Sequence, residues 1–314
     1  MKILVTGGCG FIGSNFIKHM LDKYDYEITN LDSLTYAGNR DNLGEYENHH
    51  NYYFAQGDIN ETDFLKVIIE TKEIDTIVNF AAESHVDRSI VNPDDFIKSN
   101  IDGTYNLLRL LHEYPMKKFI QISTDEVYGS LQEDDEAFTE KTSIFPSSPY
   151  AASKASADLL CFSFFHTHNY PIIVTRCSNN YGPNQYPEKL IPLVIQKAKD
   201  NERLPVYGNG KNIRDWVHVK DHCEAIDLVL HEGRNGEVYN IGGEEEKRNL
   251  DIVHTILDGL GKSHDLIDYV EDRKGHDWRY AMDISKIRNE LGWTPKMKFE
   301  DGIKELLNEN IHNS

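Results

Sequence analysis

Lys2-Ile-Leu-Val-Thr6 runs directly into Gly7-Gly-Cys-Gly-Phe-Ile-Gly13, and a helical pattern continues through Met20 and Leu21. A short β-rich run, a glycine loop and a helix, in that order, form the context that a dinucleotide fingerprint requires. The glycines parse as Gly8-x-Gly10-x-x-Gly13 or as Gly7-x-x-Gly10-x-x-Gly13. In either parse, bare backbone approaches a pyrophosphate at a helix N-terminus, where free N–H groups and the helix dipole favour an anion. The next apolar run, Ile28 to Leu31, ends in Asp32, 19 residues after Gly13. A carboxylate in that place accepts hydrogen bonds from ribose hydroxyls and repels a 2′-phosphate, so NAD is favoured over NADP. The competing explanation is a tight turn beside a surface aspartate.

Working outward, Tyr52 to Gly57, Asp75 to Phe80, Lys118 to Ile122, Ile172 to Thr175 and Val238 to Ile241 read as further strands with helical patterns between them. Pro93 opens a long helix through Leu111, and Tyr150 to His168 is helical and apolar on more than one face. Strands alternating with helices predict an α/β fold, a Rossmann-type doubly wound parallel sheet. After Arg176 the texture changes, with loop chemistry expected over Cys177–Asn184, Leu204–Gly210, Asn212–His218 and Glu271–Asp277, and helices near 250–260, 284–291 and 299–311. The expected division is an NAD-binding domain over 1–176, to which some later strands return, and a smaller, mostly α-helical lobe over 177–314 that binds substrate.

Two stretches carry the chemistry: Ser123-Thr-Asp-Glu-Val-Tyr-Gly129, at a strand's carboxyl end, and Tyr150-Ala-Ala-Ser-Lys154. Neighbouring carboxylates raise one another's pKa, and burial raises it further, which yields a proton donor and an acceptor from one acid pair. Tyr150 and Lys154, four apart, share a helix face. An ammonium beside a phenol favours the phenolate, so Tyr150 reads as a base. Ala81-Ala-Glu-Ser-His-Val-Asp-Arg-Ser89 would let the chain pass close to a cofactor, with His85 facing a substrate or serving only structure. Arg214 and Arg273 read as clamps for a diphosphate, or as solvated surface arginines.

The 314 residues carry a net charge of −19, with 39% hydrophobic and 27% charged residues, which suits a globular protein and disfavours nucleic acid. The four cysteines, Cys9, Cys161, Cys177 and Cys223, show neither metal-ligand spacing nor a disulfide framework. No metal is expected. Residues 2–6 are too short for a signal peptide and no run approaches membrane-spanning length, so the expected compartment is the cytoplasm.

Thr6-Gly-Gly-x-Gly-Phe-Ile-Gly13 with Tyr150-xxx-Lys154 resembles the extended short-chain dehydrogenase/reductases, and Asn179-Asn-Tyr-Gly-Pro183 with Arg214-Asp-Trp-Val-His218 resembles their nucleotide-sugar branch. Thr124-Asp-Glu-Val-Tyr-Gly129, Pro187-Glu-Lys-Leu-Ile-Pro192 and Leu31-Asp-x-Leu-Thr-Tyr-Ala-Gly-Asn39 narrow the resemblance to the 4,6-dehydratases that act on dTDP-glucose in dTDP-rhamnose and deoxysugar synthesis. The resemblance implies a redox-neutral lyase. Tyr150, supported by Lys154, would take the C4 hydroxyl proton, and Thr124 would bond the same oxygen. Glu126 would remove the C5 proton, and Asp125 would protonate the departing C6 hydroxyl. NAD would be lined by Gly7, Gly10, Phe11, Ile12, Gly13, Asp32, Ser33, Leu34, Thr35, Asp58, Ile59, Phe80, Ala81, Ala82, Glu83, Ser84, Ser99, Tyr150, Lys154 and Asn180. The nucleotide sugar would be held by Ser84, His85, Thr124, Asn179, Lys189, Leu190, Pro205, Val206, Tyr207, Arg214, Asn249, Asp272, Arg273, Lys274, Gly275 and His276. A homodimer through the helices near Pro93 and Tyr150 is also implied. Two departures stand out: Lys274 occupies a place where the family usually has proline, and Cys9 replaces a more usual small residue. A UDP-sugar 4-epimerase, a decarboxylase, another nucleotide-sugar dehydratase and a non-catalytic NAD-sensing module remain as alternatives, of which the acid pair disfavours the first two.

Overall fold

A computed structural model of the chain describes residues 1–272 and 275–312. The order begins β1 (Lys2–Thr6), α1 (Phe11–Lys23), β2 (Glu27–Asp32), β3 (Tyr52–Gln56), α2 (Thr62–Lys72), β4 (Thr76–Asn79) and α3 (Val86–Val91). A broken helix follows, made of α4 (Asp94–Phe96), a π-helical turn over Ile97–Asp102 and α5 (Gly103–Leu110), and then β5 (Lys118–Thr124), α6 (Pro149–His168) and β6 (Ile172–Cys177). The remainder comprises β7 (Asn179–Tyr181), α7 (Leu190–Lys199), β8 (Leu204–Tyr207), β9 (Ile213–His218), α8 (Val219–Glu232), β10 (Val238–Ile241), β11 (Glu246–Arg248), α9 (Asn249–Leu260), β12 (Ile267–Val270), α10 (Ser285–Leu291) and α11 (Phe299–His312).

Seven strands form one sheet in the order β10-β6-β5-β4-β1-β2-β3, with every pairing parallel. The chain builds outward from β1 to β3, then restarts at β4 on the other side of β1. That reversal leaves a crevice above the strands' carboxyl ends, where ligands bind in such sheets. Both faces are covered, so β5 is buried along nearly its whole length and shows no alternation. One core packs α1 and α8 through Phe16, Ile17, Met20 and Ile226, and the other packs α2, α5 and α6 through Leu65, Leu107, Leu108 and Cys161. A third cluster, with Ile191, Val194, Ile252, Val253, Phe299 and Ile303, belongs to α7, α9 and α11 in the second lobe.

Three expected loops contain strands, the first being Cys177–Asn184, which holds β7. Leu204–Gly210 contains β8, paired with β12, and Asn212–His218 contains β9, which lies between β7 and β11. β9 misleads because its polar residues are inside: Arg214 and Asp215 are buried with Trp216 and Val217. Asp215 accepts the N–H groups of Gly243 and Glu245 at 3.0 and 2.9 Å, which offset its burial in part, the carboxyl still being pushed up to about 6. The long helix expected from Pro93 to Leu111 is interrupted by its π-helical turn, a feature frequent at functional sites.

A concentrated polar cluster fastens α8 to α1. The buried Asp227 of α8 accepts hydrogen bonds from Lys23 at 2.7 Å and from Tyr24, and lies 2.8 Å from His19 Nε2. Burial alone would raise its pKa, but the bonds from His19 and Lys23 outweigh that and hold it at about 2. A depressed carboxyl stabilises the fold above the ordinary carboxylate range, and that contribution disappears as pH falls through about 4 toward about 2. Asp227→Asn should therefore cost on the order of 2 kcal/mol at pH 7. In urea titrations the gap between variant and parent should shrink as pH falls from neutrality toward about 2.

Candidate active site

A cavity of about 590 Å³ lies over the carboxyl ends of β1, β2, β4, β5 and β6. The turn after β1 forms its floor. Gly7 has φ +69°, and an added Cβ would stand 2.7 Å from the Ala81 nitrogen. At Gly13 a Cβ would stand 2.5 Å from the Gly7 carbonyl oxygen. Gly7, Gly10 and Gly13 line the cavity while Gly8 packs against Asn30 beneath it, so the second parse of the glycines describes this turn. Asp32 sits at the rim of the turn, buried, with Oδ2 accepting the Cys9 N–H and Oδ1 the Leu34 N–H, each at 2.8 Å. Burial raises its pKa, and those two N–H groups oppose the rise.

Every residue expected to touch the dinucleotide lines this cavity except Leu34. Leu34 adopts a left-handed backbone (φ 53°) and contributes only its N–H to Asp32. The turn that brings Ser33 and Thr35 to the cavity thus turns the residue between them away.

β5 delivers the acid pair. Thr124 ends the strand and caps a single 3₁₀ turn over Asp125–Tyr128, its hydroxyl accepting the Glu126 N–H at 3.2 Å and donating to Asp125 Oδ1 at 3.1 Å. Asp125 is fully buried, and its Oδ2 has no hydrogen-bond partner among the described residues. Burial first, and the Glu126 carboxylate second, push the Asp125 pKa well above the ordinary value. The two neighbouring acids are thus held in unlike surroundings, with burial favouring the protonated form of Asp125.

α6 delivers Tyr150 and Lys154 to the same cavity. Tyr150 is pinned through its backbone: its N–H donates to Ser89 Oγ at 3.1 Å, and its carbonyl accepts Ser153 Oγ at 2.7 Å. Ser153 accepts in turn from Asn100 of the π-helical turn at 2.8 Å, and Asn100 also exchanges two bonds with the backbone of Glu83. The widened turn thus locks two walls of the cavity together. One expectation is corrected. Burial, followed by the charge of Glu126, pushes the Tyr150 phenol well above its ordinary value, and Lys154 Nζ donates instead to the Ile122 carbonyl at 2.6 Å. The lysine lines the same cavity, but burial and the nearby acids decide the direction in which the phenol is shifted.

A second cavity, of about 430 Å³, opens from the first toward the smaller lobe. Ser84, Glu126, Asn179, Asn180, Gln185 and Lys189 line both, so Glu126 stands at their junction while Asp125 lines the first alone. His85, Leu190, Pro205, Val206, Tyr207, Arg214, Asn249, Gly275 and His276 line the second cavity alone. Thr124 lines only the first, and Asp272 lines neither, accepting instead from His276 Nδ1 at 2.6 Å. Arg273 and Lys274 lie outside the described residues. Arg214 is buried with its guanidinium 4.2 Å from the Tyr280 ring, bonded to the carbonyls of Ile213 and Asp277. His85 caps α3 through Nδ1 and faces Glu188 at 3.4 Å, and burial lowers its pKa.

Sequence reasoning missed Gln185, Trp216 and Tyr280 in the second cavity and Tyr36 and Tyr186 in the first. Gln185 and Tyr186 directly follow the amide-rich run Cys177–Asn184, so the signal stopped two residues short. Tyr36 and Tyr186 meet edge to face at 5.4 Å, with the Arg88 guanidinium 3.7 Å from the Tyr36 ring. Tyr280 carries no local signal, because an extended stretch far along the chain brings it in. Among the described residues there is no cluster suited to a metal ion, and no helix is long and apolar enough to cross a membrane.

A family model described as GDP-mannose 4,6 dehydratase matches residues 4–306. Agl12, a low-salt glycan biosynthesis protein of Haloferax volcanii, is 51% identical over 97% of this chain and 96% of its own length. The dTDP-glucose 4,6-dehydratase of Escherichia coli is 48% identical, covering 100% of this chain and 94% of itself. The crystal structure of dTDP-glucose 4,6-dehydratase from Bacillus anthracis in complex with NAD superposes with a TM-score of 0.93 at 51% identity, over 100% of this chain and 97% of that one. Since these matches span both lobes, the chain belongs to the GDP-mannose 4,6 dehydratase family and stands within it among the dTDP-glucose 4,6-dehydratases.

Proposed function

We propose that this chain removes water from dTDP-glucose to give the 4-keto-6-deoxy sugar, with NAD in the larger cavity and the nucleotide sugar in the smaller. The observation that carries this reading is the buried Asp125, its pKa raised by burial, beside Glu126, which lines both cavities. The larger cavity fits a dinucleotide: Gly7 and Gly13 leave space that a Cβ would fill, and Asp32 places a carboxylate at the end of β2. When bound, the oxidised dinucleotide supplies a reversible hydride acceptor and a positive ring charge.

The protein's own groups move the protons. Tyr150, with the Lys154 ammonium behind it, takes the proton of the C4 hydroxyl, and the Thr124 hydroxyl bonds the same oxygen. A ketone at C4 makes the C5 hydrogen acidic. Glu126 removes it, and Asp125, already protonated, hands its proton to the C6 oxygen as that leaves as water. Arg214, bonded among the described residues to carbonyl oxygens, remains able to attract a diphosphate. Residues 1–176 then form most of the cofactor domain, and 177–314 most of the substrate lobe. The four thiols, all free and buried, suit a reducing compartment, the cytoplasm in this reading. Ile97, Tyr105 and Leu159 stay exposed along the π-helical turn, α5 and α6, and a second copy of the chain is the partner proposed to cover them.

Purified protein given dTDP-glucose should release a product lighter by one water. Asp125→Asn and Glu126→Gln should lower steady turnover by ~10²–10⁴. In a quenched single turnover they should leave sugar that has lost two hydrogens but kept its water, as read by mass spectrometry. Full turnover in either variant contradicts the assignment, and a product of unchanged mass from the unaltered protein favours a 4-epimerase.

The cofactor assignment has its own check. NAD should bind more tightly than NADP by calorimetry, and Asp32→Ala should weaken NAD and narrow the difference. Equal affinities in the unaltered protein would contradict the role given to Asp32.

A further inference from the structure

α6 carries a third buried ionisable side chain that the mechanism above leaves unused. Tyr150, Lys154 and Asp158 recur every four residues, so one face of the helix presents all three. They are 8%, 4% and 0% exposed. Among the described residues Lys154 Nζ makes a single hydrogen bond, to the uncharged Ile122 carbonyl of β5. A buried ammonium with only that support tends to give up its proton.

The ionisable groups facing Lys154 are Asp158 and Cys161 on its own helix and Cys177 on β6. Burial pushes Cys177 up to about 12 and Cys161 well above its ordinary value, so both thiols are neutral. Asp158 is the one group of the three able to bear a negative charge. Arg176 of β6 donates Nε–H to Asp158 Oδ2 at 2.9 Å, with both side chains buried and the guanidinium 4.7 Å from the Tyr128 ring. Asp158 Oδ1 has no hydrogen-bond partner among the described residues. Burial raises the Asp158 pKa, while Arg176 and Lys154 both pull it down. The acid thus stands between two cations, one on the neighbouring strand and one a turn earlier on its own helix.

We propose that Asp158 is a positioning residue that keeps Lys154 charged, and that through Lys154 it sets how readily Tyr150 releases its proton. Arg176 holds the carboxylate in its ionised form. This rests on the reading of Tyr150 as a base, but it is tested without turnover. The groups facing Tyr150 itself are Glu126, Asp125, Cys177 and Thr124, none of which is altered in the test.

The measurement is the tyrosinate absorbance of the purified holoenzyme against pH, each protein minus its Tyr150→Phe counterpart, which isolates Tyr150. The sign is diagnostic. Removing a carboxylate near a phenol ordinarily makes the phenol easier to ionise. If Asp158 acts through Lys154, Asp158→Asn discharges the lysine, and Tyr150 ionisation moves up by about one pH unit. Asp158→Glu should restore the parent titration, and Asp158→Asn in a Lys154→Ala background should produce no further rise. An unchanged or lowered titration in Asp158→Asn overturns the proposal. If that variant does not fold, Asp158→Asn with Arg176→Met removes both buried charges and takes its place. A raised titration there supports the proposal. A parental one shows Asp158 to be merely the counter-ion of Arg176. Failure of the sugar to react would count against the proposed function and leave this titration intact.

Discussion

The reversal of strand order at β1 is the constraint from which the site follows. Because β4 restarts beside β1 and not beyond β3, the segments leaving β1 and β4 diverge, and the space between them cannot be filled by either. Parallel pairing then aims five strand ends at that space. Each brings something different: a glycine turn from β1, a carboxylate from β2, small residues from β4, an acid pair from β5 and a thiol and amides from β6 and beyond. None of these pieces is a site alone.

Burial does the remaining work, and it acts in opposite senses on different groups. It holds the Asp125 proton on, which suits an acid, and the Tyr150 proton on as well, which opposes a base. The proposed mechanism therefore asks for positive charge close to the phenol, and Lys154, itself buried, is the group proposed to supply it. An interior that excludes water strengthens each of these interactions and makes each depend on its neighbour.

Much of this was readable from residues alone. The glycine turn, Asp32, the acid pair and the Tyr150–Lys154 spacing are local patterns, and local patterns survive folding. What escaped the sequence was non-local or hidden by composition. β9 read as a loop because Arg214 and Asp215 are polar, and only their partners across the lobe make them core residues. Leu34 was grouped with Ser33 and Thr35 because a left-handed residue inside a run leaves no mark in the letters. Tyr280 arrives by tertiary contact. Asp158 was visible four residues beyond Lys154, yet it acquires meaning only when Arg176 is found on the adjacent strand.

The route of the chain between the lobes has a mechanical consequence. After β6 the chain enters the small lobe, comes back to lay α8 against α1 and add β10 to the sheet, departs for α9, returns with Ile287 of α10 to the first core, and ends with α11 packed in the other. A fragment cut after residue 176 would leave β6 as a bare sheet edge and strip the cover from Phe16, Ile17 and Met20. The two lobes are thus separable in cross-section but not along the chain.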